Sequence, residues 1–142
     1  MKFLKFAKSY LRQAEARMED ADDAFKEGNY PYALRLSQEV VELCLKASLR
    51  LVGIEYPKIH DVSDILLKYI DRFPDWFREK GGYLAETSKK LALKREISFY
   101  GGEEGLLSPD ELISRDDALD AVERARETLK LCKKLIEEYM KL

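Results

Sequence analysis

His60 is the only imidazole in the chain, and imidazole is the side chain best suited to taking and returning a proton near neutral pH. One histidine cannot build the paired ligands of a His-Glu-x-x-His helix. With only Cys44 and Cys132 beside it, it cannot complete a zinc site of the usual spacing either. No Gly-rich loop ends in Gly-Lys-Ser/Thr and no Gly-x-Ser-x-Gly elbow occurs, so the nucleotide-hydrolysing and serine-hydrolase classes fall away. His60 follows the Tyr56-Pro57 turn and precedes Asp61, a setting where an imidazole bonds loop backbone and fixes the approach to the next helix. That structural role is expected over a catalytic one. The remaining candidates are charged. Glu42 and Lys46 stand at the spacing of a helical ion pair. Lys89, Lys90, Lys94 and Arg95 form a basic run able to hold phosphate, although such a face is more commonly a solvated surface.

The elements that must position these residues are helical throughout, because no stretch alternates at period two for long enough to form a strand. Phe3, Ala7, Tyr10, Ala14, Met18, Ala21 and Phe25 mark one long amphipathic helix, ended by Gly28. Pro31 opens a second helix with two apolar stripes. Ala33, Leu36, Val40, Cys44, Ala47 and Leu51 form one, Leu34, Val41, Leu45 and Val52 the other, and Gly53 follows. A short third helix starts at Asp61 and Asp64 and stops before Pro74. A turn then carries Trp76 and Phe77, which with Tyr83 are expected to seal the core. The Gly81-Gly82 pair is read as a break. A fourth helix follows over about 83–100, ended by Gly101-Gly102. Ser108 to Glu111, and Ser114 with Asp117, read as capping boxes, the second opening a long last helix with acids at its start and lysines later. The expected fold is an all-α, antiparallel up-and-down bundle of four to five helices.

Composition narrows the class. A chain of 142 residues, 46% of them apolar, is expected to form one domain over 1–142. Charged residues make up 37% and nearly cancel to −2, which leaves no bulk basic field for capturing duplex nucleic acid, so any RNA contact must be local. Both cysteines fall on apolar helix faces and are expected as packed thiols, which argues for the cytoplasm. Asn29 is the lone asparagine, and Gln13 and Gln38 are the only glutamines; with dense Lys/Glu this indicates a thermophilic source. Lysines interrupt the apolar residues of the first segment, so no membrane span or signal segment is expected there.

Gln38 to Ala47, containing Glu42 and Lys46, and the turn from Gly53 through His60 resemble the second helix and following turn of the HEPN domain family. The resemblance covers nearly the whole chain and is closest to the small stand-alone archaeal and bacterial type. It implies an all-helical fold and one of two roles, since the family includes metal-independent ribonucleases and the helical partners of small nucleotidyltransferases. Lys94-Arg95-Glu96-Ile97-Ser98-Phe99-Tyr100-Gly101 sits where many relatives carry an arginine followed a few residues on by a histidine. Arg95 matches the arginine. Tyr100 stands where the histidine would fall, and Gly102 where nucleotidyltransferase-associated members place a tyrosine.

Metal-free RNA cleavage needs a proton acceptor or donor active near neutral pH and a cation on the phosphate. By this resemblance the catalytic candidates are Arg95 and Tyr100, and the ligand-binding candidates are Glu42, Lys46, Lys94 and Arg95. A phenol is a poor base at neutral pH, so the leading expectation is a catalytically silent, cytoplasmic module. It homodimerises and pairs with a small nucleotidyltransferase, as in toxin–antitoxin pairs, or binds a nucleotide or phosphate ligand. The alternative is a ribonuclease with an altered Arg95/Tyr100 site. No cofactor, metal or membrane partner is expected.

Overall fold

The structure, a computed structural model, describes residues 2–100, with Tyr100 by its backbone alone, and 106–142. Helix α1 (Lys2–Lys26) buries Ala7, Leu11, Ala14, Met18, Ala21 and Ala24, one residue per turn, so a neighbouring helix can approach its face closely. It ends as the sequence dictates. Gly28 takes φ 78°, its N–H donates to the Phe25 carbonyl, and Asn29 N–H reaches back to Ala24, satisfying two carbonyls that the helix leaves over. Helix α2 (Tyr30–Leu51) repeats the device: Gly53 at φ 79° donates to Arg50, and Ile54 donates to Leu49.

α2 is the central element. It packs against α1, against α5 (Gly81–Tyr100) and against α7 (Arg115–Met140), and fifteen of its 22 residues are buried. Both of its apolar stripes are therefore covered within the chain. Leu34, Leu45 and Leu49 are wholly enclosed, each worth roughly 1.5–3 kcal/mol of burial. Cys44 and Cys132 are buried free thiols on facing helices, and Ser48 Oγ lies 2.9 Å from the Cys44 carbonyl and 3.1 Å from Cys132 Sγ.

Between the long helices lie α3 (Ser63–Lys68), a 3-10 turn (Ile70–Arg72), α4 (Asp75–Arg78) and α6 (Pro109–Leu112). The described residues thus carry seven α-helices and no strand, which corrects the expected four to five. The difference lies in pieces of four to six residues, too short to show a period in sequence and set by Pro74, Pro109 and local caps. Gly81 and Gly82 do not break a helix; they open α5. A Cβ at Gly81 would stand 2.9 Å from Ile70 Cδ1, so the missing side chain lets the 3-10 turn seat against α5. The expected end at Gly101-Gly102 lies outside the described residues. Phe77 is fully buried and stacks on Phe73 at 4.5 Å, while Trp76 Nε1 donates to Glu138 of α7, so this aromatic corner closes the core. Among the described residues, no helix is long and apolar enough to cross a membrane.

Candidate functional site

Helix α2 carries Gln38, Glu39, Glu42 and Lys46 on the side that faces α1 and α5, and the chemistry gathers there. Gln38 is almost wholly buried. Its Oε1 accepts from Arg95 Nη1 of α5 at 2.7 Å, and its Nε2 donates to Glu42 Oε1 at 3.0 Å. No other orientation of this amide works, since an arginine only donates and a carboxylate only accepts. Glu39 accepts from Arg17 Nε of α1 at 2.8 Å and lies 3.5 Å from Arg95. Lys46 Nζ, in a nearly buried side chain, reaches Glu42 Oε2 at 2.8 Å, and His60 Nδ1 lies 2.7 Å from Glu42 Oε1.

The loop after α2 delivers His60. Asp61 Oδ1 accepts from Ser63 N–H at 2.9 Å and from Ser88 Oγ of α5 at 3.0 Å, and Ser88 Oγ accepts from Val62 N–H. Helix α3 begins at Ser63, after the expected start at Asp61, and Asp61 instead clamps the turn onto α5. His60 therefore has its partner in a side chain of α2 instead of loop backbone. Its ring remains 56% exposed.

Burial alone would raise the Glu42 carboxyl, but hydrogen bonds from Gln38, Lys46 and His60 outweigh it and hold the group below the usual glutamate range. An ionised Glu42 fixes the imidazole tautomer. A carboxylate can only accept, so Nδ1 carries a proton, and in the neutral ring Nε2 presents its lone pair to solvent. Arg95 uses Nη1 on Gln38 and Glu39, which leaves Nε and Nη2 without a partner among the described residues. Arg17, Glu39, Glu42, Leu43, His60 and Arg95 line a surface pocket of about 270 Å³. A larger groove of about 740 Å³ between α1 and α7 holds Leu4, Leu11, Ile136 and Met140 among its walls, with no imidazole or bonded acid–base pair.

Of the residues singled out in sequence, Glu42, Lys46 and Arg95 are brought together. Lys94 is not: its Nζ lies 2.6 Å from Asp117 Oδ1 and ties α5 to α7. Lys90 pairs with Asp120 in the same way. The side chain of Tyr100 lies outside the described residues. Arg17 and Glu39 are not singled out in the sequence, Gln38 stands there only as the start of the family-like stretch, and His60 is expected to bond loop backbone. Among the described residues, no group of three or more His, Cys, Asp or Glu is placed to hold a metal ion.

The structure thus brings an acid–imidazole pair from the second helix and the turn after it beside an arginine of a later helix, within an all-α bundle. The chain belongs to the HEPN domain family, whose profile matches residues 7–135. It is 30% identical over 141 residues to the protein named "Putative toxin MJ1304" of Methanocaldococcus jannaschii, covering 95% of this chain and 91% of that relative. No solved structure matches the chain.

Proposed function

We propose that the chain is a toxin-like, metal-independent ribonuclease whose proton-transfer group is His60. The carrying observation is the contact of His60 Nδ1 with Glu42 at 2.7 Å, in one pocket with Arg95 and Arg17. In this reading the outward Nε2 takes the proton from a ribose 2′-hydroxyl as its oxygen attacks the adjacent phosphorus. The bond from phosphorus to the 5′-oxygen breaks, that oxygen takes a proton from water, and the imidazolium proton neutralises the hydroxide left behind and restores the neutral ring. The products are a 2′,3′-cyclic phosphate and a free 5′-hydroxyl. Glu42 orients the ring and stabilises the imidazolium that forms. Arg95, with two nitrogens to spare, and Arg17 place positive charge where the phosphorane develops negative charge. His60 takes the acid–base role that Tyr100 could not readily fill. The toxin name of the relative favours the same direction.

The test is incubation of the purified protein with single-stranded RNA in the presence of EDTA. Fragments ending in cyclic phosphate are expected, with His60→Ala and Arg95→Ala each slowing cleavage by about a hundredfold or more. Intact RNA with the wild-type protein, or cleavage unchanged by His60→Ala, would overturn the reading. The first result would return the chain to the class of silent modules paired with a nucleotidyltransferase.

A further inference from the structure

Gln38 joins the two halves of the pocket. Its amide accepts from Arg95 Nη1 at 2.7 Å and donates to Glu42 Oε1 at 3.0 Å, the same oxygen that His60 Nδ1 meets at 2.7 Å. Gln38 is 1% exposed, so bulk water does not compete for either bond. The acceptor it offers Arg95 is neutral. A carboxylate would hold the guanidinium as firmly but cancel its charge, and one stands close by. Glu39 Oε2 lies 3.5 Å from Arg95 Nη1, longer than a charge-assisted bond of about 2.7–2.9 Å. The other oxygen of Glu39 is taken by Arg17 at 2.8 Å. The side chain at position 38 must therefore accept from an arginine, donate to a carboxylate and add no charge, and glutamine meets all three demands.

We propose that Gln38 is a positioning residue of the ribonuclease site, one that holds Arg95 beside the Glu42–His60 pair and keeps it from closing onto Glu39. The inference rests on the ribonuclease reading of that pocket. The amide links α5 to α2 and, through Glu42, to the loop that carries His60. The cation then stays where the phosphorane forms while the imidazole stays on the attacking 2′-oxygen. Without the amide, Arg95 Nη1 loses its 2.7 Å partner and the carboxylate at 3.5 Å becomes its acceptor. The guanidinium swings onto Glu39, and its charge is neutralised there instead of on the phosphate.

The experiment compares wild type, Gln38→Met, Arg95→Ala and the double variant, each well below its melting temperature. It reads single-turnover cleavage of single-stranded RNA, and the affinity of an uncleavable 2′-deoxy strand by anisotropy across a range of salt. Gln38→Met keeps the length and helix preference of glutamine and removes both bonds, and Gln38→Leu takes its place should that protein fail to fold. Cleavage by Gln38→Met is expected to slow by about tenfold or more. The same substitution made in Arg95→Ala should change the rate by less than about threefold, since Gln38 acts through Arg95. The slope of log affinity against log salt should flatten by about 0.7 in Gln38→Met, the share of one phosphate contact on a single strand. A purely structural role would slow cleavage by one factor in both backgrounds and leave the slope unchanged. Either of those results, or cleavage by Gln38→Met at the wild-type rate, overturns the proposal and leaves the ribonuclease reading standing. Intact RNA with the wild-type protein removes both.

Discussion

At the scale of single residues, Glu42 and His60 share a hydrogen bond but contribute differently. Glu42 is largely enclosed and accepts from Gln38, Lys46 and His60, so Glu42→Gln leaves the nearly buried Lys46 ammonium without its counter-charge and sets amide donors against donors. A loss of about 1–3 kcal/mol in denaturant unfolding is expected, together with slowed RNA cleavage. His60 is mostly exposed, so His60→Ala should slow cleavage by about a hundredfold or more while changing stability by less than about 0.5 kcal/mol. Equal destabilisation by the two substitutions would show the imidazole to be a structural strut. Sequence spacing exposed Glu42 and Lys46 because a helical ion pair is local. It could not expose Arg17 or Glu39, since nothing along α1 sets Arg17 apart from Arg12 until α1 lies against α2. Gln38 carried a usable signal: an amide within the doubly apolar helix must be buried with partners, and those partners lead to Arg95 and Glu42. The turn around His60 points to loop backbone as its partner, whereas the partner is Glu42, eighteen residues back and brought near only by the fold.

At the scale of elements, caps and ties hold the arrangement in register. Ser114 Oγ accepts from Asp117 N–H at 3.1 Å and Asp117 Oδ2 accepts from Ser114 N–H at 3.0 Å, so the capping box read in sequence starts α7. Asp117 also takes Lys94 of α5. That bond first, and then those from Ser114, hold its carboxyl below the usual aspartate range. A depressed carboxyl contributes stability that is fully present above its unfolded value and is lost as pH falls through the folded one. The Asp117 contribution should therefore begin to fall below about pH 4 and be gone once pH passes the lower folded value, and Asp117→Asn should lower stability at pH 7 yet match wild type in strong acid. A stability gap that persists unchanged into acid would contradict this. Gly53→Ala is expected to cost about 1–2 kcal/mol, because the left-handed φ of 79° ends α2 and starts the loop that carries His60. The first two long helices and their glycine ends are legible because each shows several periods and a stop. The short ones were miscounted because four residues make about one turn.

At the scale of the whole molecule, charge and apolar surface set the terms of association. The two apolar stripes of α2 are covered by α1, α5 and α7 within one chain, so they offer no open apolar face to a second copy. Charge sets a sharper expectation for RNA. The chain carries 25 basic and 27 acidic side chains, so strand binding cannot draw on a general positive field and depends on local groups. Arg17 and Arg95 both line the pocket with His60, and two neutralised phosphates on a single strand imply a slope of log affinity against log salt of roughly −1.4. Affinity for an uncleavable 2′-deoxy strand should then fall about 25-fold for each tenfold rise in salt, and Arg95→Gln should flatten the slope by about 0.7. A wild-type slope near zero would mean that these arginines stay with Glu39 and hold no phosphate. A slope steeper than about −4 would require a second basic surface beyond this pocket.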